Sequence, residues 1–256
     1  MKILKFKKQS KDKYKLYLDN NSDITLYEDV IIKNNLLITK EISDELLEAL
    51  KKQNNDMYAY TLALGYISVK MRSIKEINDY LIKKGFNNLV ANKVSERLIK
   101  EGYLNDLKYA KSFINDSMNL TNKGPQKIKM ELIKYGVNKD IIESEIALID
   151  QRKVEEKLNK LIDKELKIKK GSQNAIKIKI INHFVNLGYS KDLVTSILMS
   201  KEITSDKSKL KKDYAKLYNK YKVKYNGQEL LYFISQKLYS KGYTASDIKE
   251  VLKEEN

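Results

Sequence analysis

The sequence predicts a mainly α-helical protein, an elongated array of tandem three-helix repeats behind a small N-terminal antiparallel β element. Three observations carry that reading. One proline and nine glycines among 256 residues, in a chain dominated by Leu, Ile, Lys and Glu, leave helices few places to break. Gly85, Gly136, Gly188 and Gly242 stand 51, 52 and 54 residues apart, each closing a run with helical apolar spacing. Period-two alternation, by contrast, is confined to the first 27 residues.

Taken in order, Ile3 to Phe6, Tyr14 to Leu18 and Ile24 to Tyr27 are short β-type runs separated by the polar turns Gln9 to Lys13 and Asp19 to Asp23. They give a two- or three-stranded sheet, which is marginal alone and has to pack on something. A short helix and connection follows at Val30 to Leu37. Ser43 caps a stretch from Asp44 to Tyr66 whose middle, Lys51 to Asp56, is polar all round and admits a break. Ser73 with Glu76 is a capping box, and Lys84-Gly85-Phe86 is a left-handed glycine stop with an apolar residue folding back. Gly102-Tyr103 repeats that stop, and Asn105 or Asp106 caps the next helix. Helices start near residues 74, 88, 106, 125 and 139. Nothing from 139 to 169 is a strong breaker, so one long helix or two abutting helices fit. Val154, Leu158, Leu161, Ile162 and Leu166 form an amphipathic stripe there. Helices over 174–187, 191–200, 206–222, 228–240 and 245–253 complete the chain.

The four glycines align a repeat. Eight residues before them stand Ile77, Ile128, Ile180 and Ile234, four before stand Leu81, Leu132, Phe184 and Leu238, and just after come Phe86, Val137, Tyr189 and Tyr243. Gly124-Pro125 holds the place of Ser73-Ile74, with proline at the first helical position. The expected organisation is a β-containing element over residues 1–45 and repeats over 46–104, 105–150, 151–203 and 204–256. Each repeat is expected to bury its apolar face mainly against its neighbours.

The net charge of +16 is distributed as +1 over residues 1–45, +4 over 46–150 and +11 over 151–256. Such an excess draws a phosphate backbone or an acidic protein groove by salt-sensitive attraction, although a solvated lysine-rich surface accounts for the total equally well. With 47 lysines against Arg72, Arg97 and Arg152, backbone contact is expected rather than bidentate reading of bases. The absence of cysteine excludes disulfides and thiolate metal sites. Met1 to Tyr14 lacks the apolar core of a signal peptide and no run reaches membrane-spanning length, so a cytoplasmic protein with no membrane partner is expected.

Catalysis finds little support, and neither a cofactor nor a metal is expected. His183, the one histidine, occupies the repeat position held elsewhere by Tyr80, Glu131 and Lys237 and reads as a surface residue. Gly85, Gly102, Gly124 and Gly136 are caps or stops rather than a phosphate loop. Glu155-Glu156 and Glu254-Glu255 lie in solvated charge runs. Of 18 tyrosines, Tyr103, Tyr189 and Tyr243 read as the apolar locks of helix stops. Tyr214, Tyr218, Tyr221 and Tyr225, among Lys211, Lys212, Lys216, Lys220, Lys222 and Lys224, suit stacking on single-stranded nucleic acid. They equally describe a lysine-coated helix with a buried tyrosine face.

At Arg72-Ser73-Ile74-Lys75-Glu76, Leu81 to Phe86 and Gly102 to Ala110, continuing through Lys123-Gly124 and Leu132 to Val137, the sequence resembles the RecX family of bacterial recombination regulators. The likeness runs from about Leu62 to Ile149 and is looser in the two later repeats. Tyr109 stands where the family's D-x-x-F-A motif has phenylalanine, which keeps an aromatic ring in place. The resemblance implies a non-enzymatic modulator, active in DNA repair and the SOS response, that lies in the groove of the RecA filament on single-stranded DNA. It would inhibit recombinase and co-protease activity and touch a single- or double-stranded DNA backbone weakly and non-specifically. A monomer is expected. Charge and position single out Arg72, Lys84, Arg97 and Lys100 in the first repeat, with Lys211, Lys212 and Lys216 in the last, as candidate partner-binding residues. The alternative is an autonomous, sequence-independent DNA-binding helical protein.

Overall fold

The computed structural model describes residues 1–254, so the Glu254-Glu255 pair falls partly outside the described residues. The chain divides into two compact units, residues 1–110 with 133–139 and residues 111–132 with 140–256.

In the first unit, β1 (Ile3–Lys8), β2 (Lys13–Leu18) and β3 (Asp23–Tyr27) form a three-stranded antiparallel sheet in that order. Tyr14 lies opposite Leu26 and Leu16 opposite Ile24, so the register gathers the apolar side chains on one face. That face packs on α1 (Glu28–Lys33), α2 (Leu36–Thr39) and the first half of α3 (Asp44–Ile67), against Val30, Ile31, Leu36 and Leu50. The sheet thus borrows the stability it would lack alone.

Helix α3 runs unbroken for 24 residues. Its polar middle serves tertiary contacts rather than marking a break. Asn54 Nδ2 donates to Thr25 O at 3.1 Å while its Oδ1 accepts from Tyr27 N at 2.9 Å, which closes the free edge of β3. Gln53 Oε1 accepts from Asn34 Nδ2 at 2.8 Å, and Asp56 pairs with Lys93.

The second half of α3 packs with α4 (Ile74–Lys83) and α5 (Asn88–Lys100) around Ile77, Leu81, Val94 and Leu98. Ala59 and Ala63, fully buried, let the helices approach closely. Tyr103 is exposed and Leu104 supplies the apolar lock instead, both amides donating to Leu98 O. Before α6 (Asp106–Leu120), Asn105 Oδ1 takes the Lys108 amide as the local cap. Asp106 reaches back to accept Ile74 N at 3.0 Å, and burial pushes its pKa up.

Ser73 makes the capping box with Glu76 and also donates from Oγ to Tyr135 O at 2.7 Å, just before Gly136. Its side chain is fully buried. Ser73→Ala is therefore expected to cost about 1–2 kcal/mol in urea unfolding, since it removes both a cap and the hydrogen bond to Tyr135 O.

In the remaining chain, α7 (Pro125–Lys134), α8 (Lys139–Ala147) and α9 (Gln151–Ile168) follow as separate helices, with Asp150 capping α9 through Arg152 N. Helices α10 (Gln173–Asn186) and α11 (Lys191–Met199) close a core with α9 around Leu158, Ile162, Ile180 and Phe184. Helices α12 (Lys207–Tyr221), α13 (Gly227–Ser240) and α14 (Ala245–Glu254) close another around Tyr214, Ile234, Leu238 and Val251. These cores lie within three-helix repeats, whereas the sequence pattern suggested burial mainly between neighbours.

What joins one repeat to the next is a backbone joint that recurs. In the first unit, Ser73 at the start of α4 holds the carbonyl before Gly136, and a Cβ on Gly136 would lie 2.7 Å from the Lys75 side chain. In the second unit, Gly124 N donates to Leu187 O at 2.7 Å and Gln126 N to Gly188 O at 3.0 Å. There Ser172 Oγ also donates to Lys241 O at 2.6 Å, beside Gly242. A helix N-terminus thus receives the C-terminal turn of the following repeat's middle helix, through backbone amides at Gly124 and Gln126 and through a serine hydroxyl at Ser73 and Ser172. The repeat glycines stop helices, as the sequence indicates, and Gly136, Gly188 and Gly242 also leave room for this contact.

Candidate partner-binding surfaces

Helices α3 and α4 bring two of the seven candidate cations to the ends of one aromatic stack. The Arg72 guanidinium lies 3.7 Å from the Tyr66 ring centre, Tyr66 stacks on Tyr80 at 4.2 Å, and Lys84 Nζ stands 5.6 Å from Tyr80. Arg72 also bonds Glu76 at 3.3 Å and its side chain is only 11% exposed. It ties the end of α3 to the capping box of α4, whereas Lys84 faces solvent.

Arg97 has the same kinds of partner but stays exposed, its side chain 45% accessible. It lies 3.8 Å from the Tyr60 ring centre and bonds Glu101, four residues on, at 2.8 Å. Tyr60 donates its hydroxyl to Glu101, and burial followed by that carboxylate pushes the phenol up to about 12. The Tyr60 hydrogen bond and then Arg97 hold Glu101 below its ordinary range. Lys100, one turn from Arg97, is exposed, with no carboxylate within ion-pair distance among the described residues.

On α12, Lys211, Lys212 and Lys216 are exposed. Lys211 bonds Glu254 of α14 at 2.8 Å. Lys212 and Lys216 lie one turn apart on one face of the helix. The tyrosines of this helix are mostly core: Tyr214 is buried, and Tyr221 and Tyr225 each pack at 4.7 Å on Phe233. Tyr218 is 39% accessible, and the most exposed rings of this repeat among the described residues are Tyr232 and Tyr239 on α13, 67% and 66% accessible, two turns apart. They fall ten and three residues before Gly242, off the buried positions eight and four before it, so the repeat register could have found them.

His183 is exposed. No group of three or more His, Cys, Asp or Glu side chains that could hold a metal occurs among the described residues, and none of their helices is long and apolar enough to cross a membrane.

Fold and surface define a tandem three-helix repeat protein that offers solvent-facing cations on rigid helices. Residues 59–98 match the first three-helix domain of RecX and residues 105–144 match the second. A protein from Streptococcus uberis named Regulatory protein RecX is 36% identical over 99% of this chain and 99% of its own. One of the same name from Staphylococcus haemolyticus is 27% identical over 98% and 96%. The crystal structure of RecX from Lactobacillus salivarius superposes with a TM-score of 0.53 at 28% identity, covering 57% of this chain and 96% of that one. A further RecX crystal structure shares the fold, with a TM-score of 0.68 at 23% identity over 77% of this chain and 98% of that one. The chain belongs to the RecX family of regulatory proteins.

Proposed function

We propose that the chain regulates homologous recombination by binding in the groove of the RecA filament and lowering its recombinase and co-protease activity, with no catalysis of its own. The observation that carries this reading is full-length likeness to proteins named Regulatory protein RecX, with RecA supplied by what the family resemblance implies. Lys84, Lys100, Lys212 and Lys216 make the contacts, while Arg72 and Arg97 hold the tyrosines and helix ends behind them. Lys211 joins them by leaving Glu254. Strand exchange and ATP hydrolysis by RecA are expected to fall as the protein is added. Unchanged rates would remove RecA as the target, and equal binding to naked single-stranded DNA would favour an autonomous DNA-binding protein.

Replacing Lys211, Lys212 and Lys216 together by Glu is expected to weaken filament binding strongly at low salt and less at high salt. No change at either salt concentration excludes the α12 patch. Charge reversal in the full chain is the informative test of the basic C-terminal segment. Ending the chain near residue 150 would also remove the Leu187 and Gly188 carbonyls that hold Gly124 and Gln126.

A further inference from the structure

The second unit contains a groove of about 760 Å³ between residues 111–122, the segment after α8 and helix α9. Along α9, Lys153, Lys157, Lys160 and Lys164 recur at intervals of four, three and four residues and so share one side of the helix, all lining the groove. Lys157 is spent internally, donating to Met118 O at 2.7 Å and Lys123 O at 3.3 Å, and burial lowers its pKa. Lys153, Lys160 and Lys164 have no carboxylate within ion-pair distance among the described residues. Of the three lining acids, Glu145 pairs with Lys111 across 3.7 Å, Asp150 caps α9 and Glu156 is exposed. Half-buried Met118, Ile149 and Leu161 line it beside Asn115, Asn119 and Asn122, and two leucines of its lining are exposed, Leu120 80% and Leu148 74%.

We propose that this groove binds an acidic amphipathic segment of a protein partner, apolar side chains seated against Leu120 and Leu148 and carboxylates facing Lys153, Lys160 and Lys164. Charge complementarity selects an anion, and the exposed Leu120 and Leu148 select an occupant with apolar side chains of its own. A nucleic-acid strand fits less well, because no aromatic ring lines the groove to stack a base. The inference goes beyond RecA regulation: it adds a protein-binding site on α9, apart from the candidate lysines, and stands whichever protein the chain controls.

The test is fluorescence anisotropy on the full chain with three labelled probes. One is a helix-forming peptide with Leu on one face and Glu on its flanks, one is the same peptide with Leu replaced by Ser, and one is a thymidine 20-mer. The Leu/Glu peptide is expected to bind saturably and at least tenfold more tightly than the Ser peptide. Lys153→Glu/Lys160→Glu/Lys164→Glu is expected to weaken it at least tenfold, and so is Leu120→Ser/Leu148→Ser, which keeps every lysine. Both variants change exposed side chains, and circular dichroism checks their fold. Equal binding of the two peptides, or unchanged binding by either folded variant, overturns the proposal. So does a groove whose charge reversal abolishes binding of the thymidine strand while leaving the peptide bound.

Discussion

Gly188→Ala is expected to destabilise the second unit by about 3–5 kcal/mol, against about 1–2 kcal/mol for Gly85→Ala in the first. Both glycines end a repeat's middle helix at nearly the same positive φ, +91° and +94°, so both variants pay the same left-handed backbone penalty. Gly85 has open space around its missing Cβ. At Gly188 that carbon would lie 2.2 Å from Lys127 N and 2.6 Å from Lys127 Cβ, a distance only backbone movement can relieve. Movement there breaks the hydrogen bonds from Gly124 and Gln126 to Leu187 and Gly188. Urea unfolding of both variants reads the difference, and hydrogen exchange at the first turn of α7 locates it. Equal losses in the two variants would mean that the joint between repeats adds nothing beyond the glycine's own conformation.

The second large effect is expected at Asp213, a carboxylate 7% exposed on α12. Its Oδ1 accepts from Lys241 Nζ at 3.0 Å and its Oδ2 from the Tyr243 hydroxyl at 2.9 Å. Burial alone would raise its pKa, but the hydrogen bonds from Lys241 and Tyr243 outweigh burial and hold it below 3.8. A folded pKa below the unfolded one means that the stabilisation is fully present above 3.8 and disappears as pH falls through the folded value. Tyr243 has the opposite sign: burial, then Asp213, raises its phenol above 10.0, so its contribution is lost as pH climbs past that value. Asp213→Asn must turn an NH2 toward one of the two donors. It is expected to cost about 1–3 kcal/mol at neutral pH and to flatten the acid limb of stability against pH. Urea midpoints of wild type and variant between pH 3 and 7 measure both. Parallel acid limbs would remove Asp213 from the pH response.

Where structure depends on neighbours in the chain, it is legible in the sequence. The helices starting at Ile74, Asn88, Asp106, Pro125 and Lys139 do so because capping is decided within three or four residues. The continuity of α3 was not legible, because the partners of Asn54 and Gln53 come from β3 and the turn after α1, 19 to 29 residues earlier. The candidate site divides the same way. That Lys84, Lys100, Lys212 and Lys216 face solvent follows from helical period, whereas the engagement of Arg97 depends on Tyr60, which lies one helix pair away. Tyr214, Tyr218, Tyr221 and Tyr225 allow two readings in the sequence, because the packing of Tyr221 and Tyr225 depends on Phe233 of α13.

The joint at Gly124 and Gly188 uses amides and carbonyls, atoms that nearly every residue carries, and the joints at Ser73 and Ser172 add one hydroxyl each. Such a coupling makes almost no demand on side-chain identity beyond its glycine. A gene segment encoding one repeat can therefore be copied, and the copies can drift apart in sequence, without each new boundary having to evolve its own complementary interface. The four repeats share the glycine and the isoleucine eight residues before it and differ at most other positions, as such a joint permits.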